Sequence, residues 1–168
     1  MRSFHEHPLV EAAVQAHLSA YGEVFVAAAS LESPAPVSVN NLYTHFRGKK
    51  NLTKAGRAYR DGLAAAVAGS SVEWKTAVTR VYQEGRAATL LVGLYFQTLQ
   101  NRSWKAGSRT ASGALSEPRK KQDSANYLKV IEDAVVQGSG IDDCNNTQHI
   151  IIKLEDNLRP RTEIIYLV

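Results

Sequence analysis

The sequence predicts a single α+β domain: about four strands in a mixed sheet, packed with three or four helices. Three observations carry that expectation. The chain has 168 residues, enough for one domain with a real core, since domains commonly run to about 100–150 residues. The run ATLLVGLYFQTL at 88–99 is apolar and β-rich without helical spacing, as a buried central strand would be. Four other segments repeat apolar residues at the helical period, and two short β-branched runs close the chain.

Residues 8–21 bring Val10, Ala13, Val14, His17, Leu18 and Tyr21 to one helical face, and Gly22 stops them. Residues 23–31 (EVFVAAASL) read as a strand, ended by S-P-A-P. A polar, basic segment runs from Val37 to Asn51. Thr53 then caps a helix through Val67 that Gly69 ends. A helix over 71–84 has Val72, Trp74, Ala77, Val78, Val81 and Tyr82 as its apolar set. After the 88–99 strand and a Gly/Ser-rich loop, a helix spans about Asp123 to Gln137. Residues 147–155 and 161–168 read as strands, and D-N-L-R-P between them suits an antiparallel hairpin. No internal repeat is present.

Composition narrows the function. No apolar run approaches the roughly 20 residues of a membrane span, and MRSFHEHPLVEAAV lacks a basic-then-apolar signal pattern. Cys144 is the only cysteine, so no internal disulfide is available and a reducing, cytoplasmic setting is expected. Net charge is +4, but its distribution is uneven. Residues 101–121 carry Arg102, Lys105, Arg109, Arg119, Lys120 and Lys121 against Glu117 alone, a local +5, leaving the other 147 residues at −1. Basic charge gathered just before an acidic motif points to a polyanion partner.

The acidic motif is Asp123, then a helix containing Lys129, then Gly138, Gly140 and the pair Asp142-Asp143. Read singly, these are an N-cap, a solvated lysine and a turn. Read together, they form the oxygen-ligand nest that a hard cation such as magnesium takes beside a phosphate. Ala125 stands where a second carboxylate at i, i+2 would complete it.

The stretch D-S-A-N-Y-L-K-V-I-E-D-A-V…G-I-D-D-C resembles the D-x-D-N-L-x-K…D-A-L…D-D signature of the RusA family of Holliday-junction resolvases. Upstream, S-P-A-P-V-S-V-N-N-L-Y-T-H-F-R-G-K-K-N-L-T-K-A-G-R-A-Y-R-D is similar to that family's P-P-S-x-N opening, basic hairpin and T/S-x-x-G-x-A-Y-R helix. Q-H-I-I-I-K and R-T-E-I-I-Y-L look like its last strand pair. The resemblance spans about residues 24–168. It leaves residues 1–22 as an N-terminal helical extension to a domain at 23–168, with 101–121 as a basic insertion loop.

The resemblance implies a RusA-like fold and a homodimeric, magnesium-dependent (Mg2+) endonuclease that nicks four-way DNA junctions symmetrically in recombination and repair. It implies no membrane and no organic cofactor, a bacterial cytoplasm, and by resemblance alone a phage or prophage origin. Carried over by position, the catalytic positions are Asp123, Ala125, Lys129 and Asp143, with Asp123, Asp143 and Asp142 toward the metal and Asn126 beside the lysine. Asn40, Asn41, Arg47, Lys49, Lys50, Lys54, Arg57, Arg119, Lys120, Lys121 and Asn126 face DNA. An alanine methyl ligates no cation, so this chain is expected to bind junctions and cut them poorly. An introduced inactivating substitution and a naturally degenerate copy both account for Ala125; the intact remainder of the signature favours the first.

A rival reading rests on V-S-V-N-N-L-Y-T-H-F-R-G-K-K-N-L (37–52), which looks like the recognition helix of TetR-type repressors and would make the chain a helix-turn-helix operator binder. Pro34 and Pro36 fall where the motif's first helix would run, at a cost of about 3 kcal/mol for proline inside a helix. His5, His7, His17, His45 and His149 receive no role.

Overall fold

The structure, a computed structural model, describes residues 4–32, 36, 42–46, 48–100, 104–109, 113, 115, 118 and 124–168. A 3-10 turn (Phe4–Glu6) leads into α1 (Pro8–Tyr21) and strand β1 (Val26–Leu31). Next come β2 (Tyr43–Phe46), β3 (Lys49–Leu52), α2 (Lys54–Gly69), α3 (Ser71–Tyr82) and β4 (Ala88–Phe96). The chain ends with α4 (Ser124–Ser139), a second 3-10 turn (Asp143–Asn145), β5 (Asn146–Glu155) and β6 (Arg161–Leu167).

The main sheet has the order β1-β6-β4-β5, with β4 parallel to β5 and antiparallel to β6, and β1 antiparallel to β6. This mixed four-stranded sheet with its helices is the expected α+β architecture. One connection differs from expectation. β5 and β6 do not pair as a hairpin: both flank β4, with Val92 opposite Ile151 on one side and Ile164 on the other. The link between them rounds the end of β4, where the Asp156 amide donates to the Phe96 carbonyl at 2.8 Å. A strand apolar on both faces belongs in the sheet interior, and a five-residue link easily spans the roughly 10 Å to the next strand but one.

All of β4 is buried because helices cover both faces of the sheet. Leu90, Val92 and Leu94 join Tyr59 and Leu63 of α2, Trp74 of α3, and Tyr127 and Ile131 of α4. On the opposite face, Leu91, Tyr95, Ile165 and Leu167 join Phe4, Val10 and Ala13. Gly93 makes room for this second layer, since a Cβ there would lie 2.9 Å from the Phe4 ring.

The helix ends follow the sequence. The Thr53 hydroxyl accepts the Gly56 amide at 2.9 Å, and Gly22 closes α1 at φ 75°. Two expected apolar faces are narrower than read. In α1, Val10, Ala13 and His17 are buried whereas Leu18 and Tyr21 are exposed; in α3, Trp74, Ala77 and Val81 are buried whereas Val72 and Tyr82 are exposed. Each helix presents only the stripe its neighbours can reach.

His17 Nε2 lies 3.0 Å from Thr89 Oγ1, and burial holds the imidazole below its ordinary value. The unfolded chain therefore takes up that proton first. Stabilisation by neutral His17 is complete above about pH 6.5 and is lost as pH falls through the depressed folded-state value. The melting temperature is expected to fall more between about pH 7 and about pH 5 than it does in His17→Gln, in thermal melts across that range.

Candidate functional site

β2 and β3 form a separate two-stranded hairpin, Tyr43 opposite Leu52 and Phe46 opposite Lys49, turning at Gly48 with φ 75°. Strands here overturn the repressor reading, which requires one continuous recognition helix through these residues. The hairpin docks on the first turn of α4. Lys50 Nζ donates to Asn126 Oδ1 and lies 4.0 Å from the Tyr43 ring centroid, while Tyr43 Oη donates to the Asn126 carbonyl at 3.5 Å. Two residues expected to face DNA, Lys50 and Asn126, thus engage each other in the free protein. Lys49, Lys54 and Arg57 are exposed, with Arg57 Nη1 donating to the Leu52 carbonyl at 2.7 Å.

Beyond α4, Gly140 adopts φ 80° and the chain turns back along the helix. Lys129 Nζ consequently lies 3.1 Å from Asp143 Oδ2, and also 3.1 Å from Asp133 Oδ1 one helical turn on. The two carboxylates, Asp133 first, hold the Lys129 ammonium well above the ordinary lysine range. Asp142 N-caps the 3-10 turn: its Oδ1 accepts the Cys144 amide at 3.1 Å, and that backbone N–H is the main cause holding the Asp142 carboxyl below the ordinary aspartate range. Tyr82 pins the turn from the end of α3, its hydroxyl accepting the Asp142 amide at 2.9 Å and Asn145 Nδ2 at 3.2 Å. Burial and then the Asp133 charge push the Tyr43 phenol up.

Of the residues selected from sequence, the fold brings Lys129 and Asp143 into direct contact, sets Asp142 beside them, and brings Lys50 to Asn126. Ala125 is exposed in the first turn of α4, one turn before Lys129 and therefore on the same helix face. Asp123, Asn40, Asn41, Arg47, Arg119, Lys120 and Lys121 lie outside the described residues. Asp133 and Tyr82 had not been selected. Asp133 was legible as the i+4 partner of Lys129, whereas nothing local marks Tyr82. A further pair joins α4 to the edge strand, His149 Nε2 to Glu132 Oε1 at 2.8 Å.

The turn offers carboxylate oxygens, the donor type a hard divalent cation takes. Among the described residues, no group of three or more His, Cys, Asp or Glu side chains is arranged to hold a metal ion, and position 125 supplies only a methyl group. Among those residues, too, no helix is long and apolar enough to cross a membrane.

A family model described as endodeoxyribonuclease RusA matches residues 34–165, from beyond β1 into β6. No curated protein matches the chain.

Proposed function

The chain belongs to the RusA endodeoxyribonuclease family, and from that premise we propose that it recognises four-way DNA junctions as a homodimer, with a magnesium-dependent cutting site that Ala125 leaves impaired. The family is one of Holliday-junction nucleases in DNA recombination. The observation that carries the reading for this chain is the docking of the basic hairpin on the first turn of α4. It brings the lysine-bearing hairpin to the helix that carries the Lys129–Asp143 pair, which supports the reading.

In this reading Lys49, Lys54 and Arg57 hold DNA phosphates, contacts that orient the duplex arms without reading bases. Asn40, Asn41, Arg47, Arg119, Lys120 and Lys121 are assigned DNA contacts from the sequence alone. Lys129 keeps a positive charge beside the scissile phosphate and steadies Asp143. Tyr82 fixes the turn that presents Asp142 and Asp143. Asp123, Asp142 and Asp143 would hold magnesium, which when bound lowers the pKa of a water and offsets charge on the phosphorus oxygens. Residues 23–168 form the nuclease domain and 1–22 extend it.

The test is a competition between a labelled four-way junction and linear duplex of the same sequence, at fixed salt. The junction is expected to be preferred by about tenfold or more, with affinity falling steeply as salt rises. Equal affinity for the two would reject junction selectivity.

A further inference from the structure

Resting on the junction reading, we propose that Trp104 is a base-stacking residue for branched DNA: its indole lies against a base uncovered where two arms part, while Lys105 and Arg109 hold neighbouring phosphates. The chain has two tryptophans. Tryptophan carries a large apolar surface and is highly buried on average. Trp74 follows that expectation at 2% exposed, whereas Trp104 is 41% exposed. Nor is Trp104 the margin of an apolar cluster in sequence. Between 101 and 121, Leu115 and Pro118 are the other apolar side chains larger than alanine, and the stretch carries a net +5.

Two turns hold the cations that follow the indole. The Ser108 amide donates to the Lys105 carbonyl at 2.9 Å, with Gly107 at φ 74°, the pattern of a turn that needs glycine at its third position. Arg109 then pairs with Leu115 in an antiparallel bridge around Gly113 at φ 80°, and its Nη1 donates to the Gly113 carbonyl at 2.7 Å. Lys105 and Arg109 are both exposed. An aromatic plane beside cations is the combination that binds unpaired nucleic acid, the ring taking a base face and the charges taking phosphates. The place of the segment in the fold points to the partner. It leaves the C-terminal end of β4 and returns to the first turn of α4, where Phe96 and Tyr127 meet edge to face at 5.8 Å. The basic hairpin docks on that same turn. A linear duplex keeps its base faces stacked, whereas a branch point opens them to an inserted side chain.

The experiment measures binding of the full chain, at fixed salt, to a labelled four-way junction and to linear duplex of the same sequence. Trp104→Ala is expected to lose about tenfold in junction affinity and no more than about twofold in duplex affinity, and Trp104→Phe to recover most of the loss. Lys105→Ala should weaken both by a similar factor and lower the salt dependence. Equal thermal melts establish that the variants fold. Fluorescence reads the contact in the unsubstituted chain. Acrylamide reaches the exposed Trp104 and hardly reaches Trp74, so saturating junction should shield the quenchable emission and saturating duplex should not. In Trp104→Phe that response should disappear. Unchanged junction binding by Trp104→Ala, equal loss for the two DNAs, or unshielded emission in the junction complex overturns the proposal. So does a loss that accompanies dissociation of the protein in sedimentation, which would make Trp104 a subunit contact. A parent chain that binds both DNAs alike removes the junction reading and the proposal with it; a parent that prefers the junction, matched by Trp104→Ala, removes the proposal alone.

Discussion

Ala125→Asp is expected to convert the chain from a junction binder into a junction cutter. With magnesium and a labelled four-way junction, paired symmetric nicks should appear at least about 100-fold faster than with the parent chain, the scale of effect seen when one group that stabilises developing charge is restored. Junction affinity should change by no more than about twofold, because phosphate contacts elsewhere supply most of it. The substitution is well tolerated on structural grounds. Position 125 is exposed in the first turn of α4, where a negative charge is favoured by the helix dipole. An acid at 125 also precedes Lys129 by four residues, the favourable order for a helix-surface pair. Circular dichroism melts should therefore show equal or slightly greater stability. The site assignment fails if the Asp form binds the junction and cuts nothing, while Asp123→Asn and Asp143→Asn in that form change nothing.

Gly138→Ala is expected to have the largest effect on folding among single-methyl substitutions in α4. A Cβ at Gly138 would stand 2.5 Å from the Ala64 carbonyl oxygen and 2.8 Å from Val67 Cβ, so α2 and α4 meet here backbone to backbone. Alanine raises helix propensity by about 1 kcal/mol, but a carbonyl oxygen cannot rotate away as a side chain can. The helices must separate, at about 1–3 kcal/mol or somewhat more for a clash with main chain. The net expectation is a loss of about 1–2 kcal/mol and a fall in Tm of about 3–8 °C. Gly69→Ala is the control, because nothing lies within 4 Å of its added Cβ; its Tm should hold or rise. A Gly138→Ala protein as stable as the parent would mean that this contact does not set the helix spacing. Since α4 also carries Asn126 and Lys129, Gly138→Ala should loosen the site along with the core.

Local chemistry made much of the molecule legible. Thr53 and Gly22 mark helix ends through single side-chain and backbone preferences, and the uninterrupted apolar run of β4 announces burial on both faces. The acidic motif was legible for the same reason: the carboxylates, the lysine and the glycines lie within 21 residues, so spacing alone suggests one site. The partners of these elements were not legible. The separation of β5 from β6 by β4 depends on which strand can be sheltered on both sides, and that is decided by helices far away in the chain. Lys50 looked like a free phosphate contact until the hairpin was seen docked on Asn126. Tyr82 looked like the end of an apolar stripe until its hydroxyl was found holding the Asp142 turn.

The sequence by itself determined the elements, the α+β class and the short acidic segment where chemistry would reside, because propensities, caps and spacing act within a few residues. Only the tertiary structure decided that Lys129 is shared between Asp133 and Asp143, that the basic hairpin lies against the first turn of α4, and that α1 covers the second face of the sheet. Those contacts depend on the close approach of α2 and α4 at Gly138, on the reversal at Gly140 and on strand order. Each is a choice among long-range packings that near neighbours in the chain cannot specify.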